Sequence, residues 1–251
     1  FTIRLERTET DGVELAGTYK ADGVTGISEI TFTDVPNKSI VEATIELKHG
    51  EALTIRDIPV GTRYTVTEDN YRSYEEGGFT TTVNGTTTST ATGEILEWAA
   101  GKPQATAIFT NTRNVGGLTV TKKTAGNGLE EPGVRTTFDI TVTLTPKAGV
   151  NLVGTVNGTA LPADGTVANG VWSKTFTLKA NETVTFTGLP EGTTYTVSEE
   201  DYTAQGFVTT ITPQTGSIEV ADNATEAPTV NVTVTNDRNV GGLTIAKNVT
   251  G

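Results

Sequence analysis

The chain is 251 residues long and carries 18 Lys and Arg against 30 Asp and Glu, a formal net charge of −12, with no Cys and no Met. The acidic balance argues against a nucleic-acid partner, which calls for a basic surface, and the missing thiols exclude disulfides, zinc-thiolate centres and cysteine nucleophiles. Only 35% of the residues are hydrophobic, but about one in five is Thr, which favours strands and tolerates their wet face, so a thin all-β chain of one large or two ordinary domains is expected.

No window approaches the long apolar run of a membrane helix, and no signal peptide stands at the start. The chain opens on Phe1 rather than Met and reads as a piece of something longer. Apolar and polar residues alternate in "FTIRLE" (Phe1–Glu6), "YTVTE" (Tyr64–Glu68), "GFTTTV" (Gly78–Val83) and "IFTNT" (Ile108–Thr112). The pattern continues in "GLTVTKK" (Gly117–Lys123), "TFDITVTLT" (Thr137–Thr145), "TVTFTGL" (Thr183–Leu189), "YTVSE" (Tyr195–Glu199), "GFVTTI" (Gly206–Ile211), "NVTVTN" (Asn231–Asn236) and "GLTIAKN" (Gly242–Asn248). Period-two alternation marks strands, and turn signals such as Asp22-Gly23 separate them; many short strands predict a sandwich or barrel.

The strands repeat. "GTRYTVTE" (Gly61–Glu68) returns as "GTTYTVSE" (Gly192–Glu199), "GFTTTV" as "GFVTTI", and "RNVGGLTVTKK" (Arg113–Lys123) as "RNVGGLTIAKN" (Arg238–Asn248). The spacing is roughly 130 residues, the length of one domain. Residues 1–112 are predicted to form one module without its own first strand, and 113–240 a complete module. Residues 241–251 are read as the first strand of a following module, or as a strand donated to a neighbouring chain. The short linkers favour modules strung end to end. If the modules are extended, the last strand does not easily reach back to the first module of its own chain.

Alternation also assigns faces. Lys122 shares the apolar face of Leu118 and Val120, and Lys247 that of Leu243 and Ile245. Glu68 follows Tyr64 and Val66 inward, as Glu199 follows Tyr195 and Val197. Asn111 follows Phe109, and Asn236 follows Val232 and Val234. Burying such groups costs several kcal/mol each, at about the scale of an unpaired charge or amide. One explanation is a buried ion pair with a hydrogen-bonded amide, or strand ends that reach water. The other is chemical. Burial lowers the pKa of an amine and raises that of a carboxyl group, which gives a nucleophile and a general acid–base. The amine then attacks the amide carbon, ammonia leaves, and an isopeptide bond joins the first strand to the last.

The Lys of the opening strand, the "YTVTE" and "YTVSE" boxes and the closing "FTNT" and "VTND" strands together resemble the collagen-adhesin B-type (Cna-B) repeat domains of Gram-positive surface proteins and pilins. The resemblance covers essentially the whole chain. It implies an all-β fold of two tandem reverse-immunoglobulin, prealbumin-like sandwiches, each stapled by a Lys–Asn isopeptide bond. In the second module the implied roles are Lys122 as nucleophile, Glu199 as acid–base and Asn236 as electrophile. In the first they fall on Glu68 and Asn111, with no Lys in the matching motif; Lys247 of a neighbouring chain is the candidate to meet them. The implied function is a structural stalk or fibre repeat at the wall-attached cell surface, with single-turnover self-crosslinking rather than enzymatic turnover. Tension entering through the first strand and leaving through the last would pass through the bond.

The implied partners are adjacent repeats or neighbouring identical subunits, with no nucleic acid, no direct membrane insertion, no cofactor and no metal. A host or surface ligand is the alternative, for which "NGTTTSTATGEILEWAA" (Asn84–Ala100) is the candidate surface. His49 is expected in a solvated loop, and Trp98 and Trp172 as packing residues.

Overall fold

The computed structural model describes residues 1–7, 12–36, 38–69, 78–97, 105–161, 165–168, 170–221 and 227–249. Trp98 and the end of the Asn84–Ala100 segment lie outside them. The chain divides into two compact units, Phe1–Thr112 and Arg113–Gly251. Among the described residues no helix is long and apolar enough to cross a membrane.

Unit 1 contains β1 (Thr2–Glu6), β2 (Gly17–Asp22), β3 (Glu29–Asp34), β4 (Ile40–Thr44), β5 (Thr54–Ile55), β6 (Arg63–Thr67), β7 (Phe79–Val83), β8 (Thr86–Thr87), β9 (Thr90–Glu94) and β10 (Phe109–Arg113). One sheet has the order β5-β2-β3-β4-β1-β6-β9 and the other β10-β7-β8. Ile3 and Leu5 of β1 alternate inward and join Phe32, Val41 and Ala43 in the core. His49 sits in an exposed turn.

Unit 2 contains β11 (Val115–Gly126), β12 (Thr137–Thr145), β13 (Thr155–Val156), β14 (Thr159–Ala160), β15 (Thr166–Ala168), β16 (Val171–Lys179), β17 (Thr183–Pro190), β18 (Thr194–Glu199), β19 (Phe207–Thr212), β20 (Thr215–Ser217) and β21 (Thr229–Arg238). Its sheets run β14-β13-β17-β11-β21-β19 and β15-β16-β12-β18-β20. The core draws on both inner faces: Leu118, Val120, Phe186, Val232 and Val234 from the first, and Ile140, Val142, Leu144, Trp172 and Val197 from the second. This is the two-layer packing of a sandwich, with alternate residues of every strand directed into one core. Trp172 is fully buried, edge-on to Phe186 with ring centroids 5.6 Å apart.

The two units share detailed packing. Tyr64 pairs with Gly93 across β6 and β9, and Tyr195 with Gly216 across β18 and β20. A Cβ at either glycine would fall 2.5 Å from the tyrosine Oη, so in both units the ring lies flat over a residue that must lack a side chain.

Residues 241–249, expected to pair within a following module or a neighbouring chain, form no strand within this chain; Leu243 and Ile245 are 86% and 84% exposed. A strand needs partners for its backbone N–H and C=O groups, and none is paired there. Asn111, expected to face the core, is exposed. Its counterpart Asn236 is covered by β11, and among the described residues of unit 1 no strand holds the equivalent place beside β10.

Candidate functional site

The site of unit 2 is built where its first and last strands run together. β11 pairs β21 in parallel, with Lys122 opposite Val234 and Thr124 opposite Asn236. Asn236 therefore lies one step of the pleat beyond the partner of Lys122, on the same inward face. Glu199 ends β18 of the opposite sheet and pairs with Ile140, so it approaches from across the sandwich. Lys122 and Asn236 are 0% exposed and the Glu199 side chain 1%.

Lys122 Nζ lies 3.3 Å from Glu199 Oε1. It donates to the carbonyl oxygens of Lys123 (2.9 Å) and Val234 (3.4 Å) and sits 4.3 Å from the centroid of the Phe138 ring. Burial holds the amine below the ordinary lysine range, and the charge and hydrogen bonding of Glu199 oppose that shift in part. Desolvation prevails, which favours the neutral, nucleophilic amine.

A residue not singled out in the sequence completes the cluster. Thr209 Oγ1 lies 2.7 Å from Glu199 Oε2 and 3.2 Å from Asn236 Oδ1. A hydroxyl carries one hydrogen, so it cannot donate to both oxygens at once. The single hydroxyl thus stands between Glu199 Oε2 and Asn236 Oδ1 and links the acid to the amide. The signal was present in the sequence, because Thr209 of "GFVTTI" and Thr81 of "GFTTTV" hold the same place, but in a Thr-rich chain it did not stand out. Asn236 Nδ2 is buried with no hydrogen-bond partner, as is Glu199 Oε1 apart from its ion pair. An unsatisfied buried group costs about 1–3 kcal/mol, and loss of Nδ2 as ammonia would remove one such cost.

Thr209→Val keeps the shape and deletes the bridging hydroxyl. The expected outcome is slower Lys122–Asn236 bond formation, by about 10-fold or more for one lost hydrogen bond to a developing charge. The check is the time course of ammonia loss by intact mass. A Thr209→Ser variant should restore most of the rate.

Unit 1 repeats the acid, amide and hydroxyl. Asn111 Nδ2 donates to Glu68 Oε1 at 2.8 Å, and Thr81 Oγ1 donates to Asn111 Oδ1 at 2.5 Å. Glu68 is 6% exposed and Thr81 8%. Lys247 lies in a segment whose described residues are exposed. Among the described residues no group of three or more His, Cys, Asp or Glu is placed to hold a metal. Among the described residues the large exposed hydrophobic side chains are all aliphatic.

The two units are tandem repeats of one all-β module, each bringing an acid, an amide and a hydroxyl together. Both units match a single family model, described as a domain of unknown function (DUF7601), over residues 1–113 and 116–238, and the chain belongs to that family. It is also similar to a pilin of Streptococcus pyogenes serotype M1, 27% identical over 251 residues, covering 91% of this chain and 71% of the pilin. Among solved structures it matches the major pilin of Streptococcus pyogenes at a TM-score of 0.47 and 18% identity, over 95% of this chain and 91% of that one. A pilus-presented adhesin matches at a TM-score of 0.34 and 20% identity over half of this chain. The chain spans about a quarter of that adhesin's length (28%).

Proposed function

We propose that the chain is a structural stalk or fibre segment of a pilus-like filament or adhesin on a Gram-positive cell surface, and that unit 2 crosslinks itself through an isopeptide bond between Lys122 and Asn236. The observation that carries this reading is the burial of an amine, a carboxyl and an amide at one point where the first and last strands of the unit meet. A simple ion pair accounts for Lys122 and Glu199. It does not account for a buried Asn236 whose Nδ2 has no partner.

In the reaction, Lys122 Nζ adds to Asn236 Cγ while Glu199, through Thr209, supports the developing charge on Oδ1. A proton moves from Nζ to Nδ2 with Glu199 as the shuttle, the Cγ–Nδ2 bond breaks, and ammonia leaves. The acid is regenerated and the amide is consumed, so each unit reacts once. The pilin relatives support the setting, because a shaft subunit gains from a staple that needs no thiol.

The test is the intact mass of the chain under denaturing conditions, followed by peptide mapping. A deficit of about 17 Da, one ammonia per amine attack, placed on a peptide pair containing Lys122 and Asn236, is expected. The full sequence mass would reduce the cluster to a buried ion pair and remove the basis of the crosslinked stalk.

A further inference from the structure

The inward face of β21 does not stop at Asn236. Arg238 is the next residue on that face, and its side chain is only 11% exposed. Its Nη1 donates to the carbonyl oxygens of Gly128 and Asn127 and lies 3.5 Å from Glu131 Oε2. Its Nε is buried without a hydrogen-bond partner, which costs stability; an arginine placed there only for solubility would keep that N–H in water. Gly128 has a φ of +61°, and a Cβ there would collide with Arg238 Nη1, so the guanidinium meets the chain at a residue that must lack a side chain. A second arginine holds the far end of the same loop. Arg135 Nε donates to Gln205 Oε1 at 3.1 Å, its Nη1 to the Thr137 carbonyl at 3.0 Å, and its guanidinium lies 4.4 Å from the centroid of the Tyr202 ring.

Residues 127–135 thus form a cap, and the cap rests on an aromatic wall. Leu129 and Val134 pack on Phe138, Tyr202 and Phe207. Phe138 meets Tyr202 and Phe207 edge-on, with centroids 5.4 and 5.2 Å away, and is also the ring 4.3 Å from Lys122 Nζ. Outside the wall is a polar recess of about 340 Å³, lined by residues of the cap together with Gln205, Phe207 and Arg238. Phe207 borders the recess and touches Phe138, so two rings stand between it and the amine.

The latch also reads register. β21 pairs with β11 so that Asn236 is opposite Thr124 and Arg238 opposite Gly126. A slip of one residue would turn Asn236 outward. A slip of two keeps the alternation of "NVTVTN" facing the core, so the apolar pattern does not oppose it. It would carry both Asn236 and Arg238 about 7 Å along the strand, two residues of rise, away from Lys122 and from Gly128. The Arg238 contact is therefore made in the register that seats the amide beside the amine.

We propose that Arg238, assisted by Arg135, is a positioning residue for the Lys122–Asn236 reaction: it latches residues 127–135 over the aromatic wall, which keeps water from the amine, and it does so only when β21 is in the reactive register. This rests on the amine–amide reading of unit 2. The arginines exchange no bond or proton with the reacting atoms. Among the described residues the charged group facing the amine is Glu199 of β18; β12 presents Phe138, and β21 the Val234 carbonyl. Glu182, whose carbonyl accepts from the Lys122 N–H, directs its carboxylate to the Lys179 N–H in an exposed turn. Glu131, Arg135 and Arg238 belong to the cap and its latch. Desolvation is what holds the amine below the ordinary lysine range, so water admitted through a loosened cap returns it towards the protonated form.

The full chain is recovered in denaturant before it has folded or reacted, then refolded by dilution between about pH 6 and about pH 9, below the ordinary lysine value near 10.4. Ammonia loss is read by intact mass, and folding in parallel by circular dichroism. Arg238→Gln is expected to react about 10-fold more slowly than the parent near neutral pH, the scale of one pKa unit, and the gap should narrow as pH rises. Arg135→Gln and Leu129→Ala, which loosen the cap without touching β21, should shift the profile in the same direction; they carry the test if Arg238→Gln does not fold. Arg238→Gln should also leave a fraction of chains that fold and never lose ammonia. Parent rates, or a deficit equal at every pH, would leave the arginines a structural role only and overturn the proposal; complete conversion of Arg238→Gln would overturn the reading of register. In the unreactive Asn236→Ala chain the Lys122 amine is titrated by NMR, with and without Leu129→Ala. The cap variant should raise its pKa, and an unchanged value overturns the cap. That titration needs no crosslink, so a parent at full sequence mass would sink the proposed function while the cap is still decided.

Discussion

Asn236→Ala is expected to lower the stability of unit 2 by about 4–5 kcal/mol, the scale of releasing a crosslink that closes roughly 100 residues. For a domain of this size that is a fall in melting temperature of about 10–20 °C. The variant is a clean probe of the bond. It leaves Lys122 beside Glu199 and Thr209 within reach of Glu199 Oε2. It also deletes an amide nitrogen that is buried without a partner, so among chains that have not reacted it should be neutral or mildly stabilising. The variant also loses the Thr209–Asn236 Oδ1 hydrogen bond, worth about 1 kcal/mol, so a loss well above that is assigned to the missing covalent bond. Thermal unfolding with intact mass on the same sample is the measurement. Equal melting of a reacted chain and Asn236→Ala would show that the crosslink adds nothing to stability.

Glu199→Ala should do more damage, because it prevents the reaction and strands an amine. Lys122 would remain fully buried against Phe138 with no carboxylate at 3.3 Å. Removing one member of a buried pair costs about 3–5 kcal/mol, apart from the lost bond. The penalty should depend on pH. Burial already holds the Lys122 amine below its ordinary value, and Glu199 is what opposes that shift, so the variant amine falls further. A base whose folded pKa is depressed binds fewer protons folded than unfolded. Stability then rises with pH from the folded pKa up to the unfolded value near about 10.4. Melting temperature should climb with pH on the way to that unfolded value. A parent chain joined through Lys122 would have no amine there to titrate, so that slope should be absent from it. A Lys122→Met, Glu199→Ala double variant should lose the slope as well; a slope that survives in it would assign the effect to another group.

The inward places of Lys122, Glu199 and Asn236 were legible in the sequence because alternation fixes faces residue by residue. What brings them together was not, because faces do not name partners. The parallel pairing of β11 with β21 joins residues more than a hundred positions apart, and nothing local in either strand announces it. The amine–amide chemistry and the resemblance to Cna-B domains pointed to a meeting of first and last strands, but not to this register. Thr209 was hidden by composition, since its hydroxyl matters only through Glu199 and Asn236 and most Thr residues here face solvent on strands. The tail shows what local pattern leaves open. "GLTIAKN" has the same alternation as "GLTVTKK", yet only the second is a strand, because hydrogen-bonding partners decide the matter and the local pattern does not. Asn111 is exposed for a related reason: the place beside it is where a covering strand would lie.

The pairing of β11 with β21 has one more consequence. Because the strands are parallel, a pull on the chain before β11 and after β21 acts along their length in opposite senses. The ten residue pairs from Gly117–Thr229 to Gly126–Arg238 are then loaded side by side in shear, where a peeling geometry would break them one after another. Even before any covalent bond forms, the hydrogen bonds between the two ends of unit 2 must fail together.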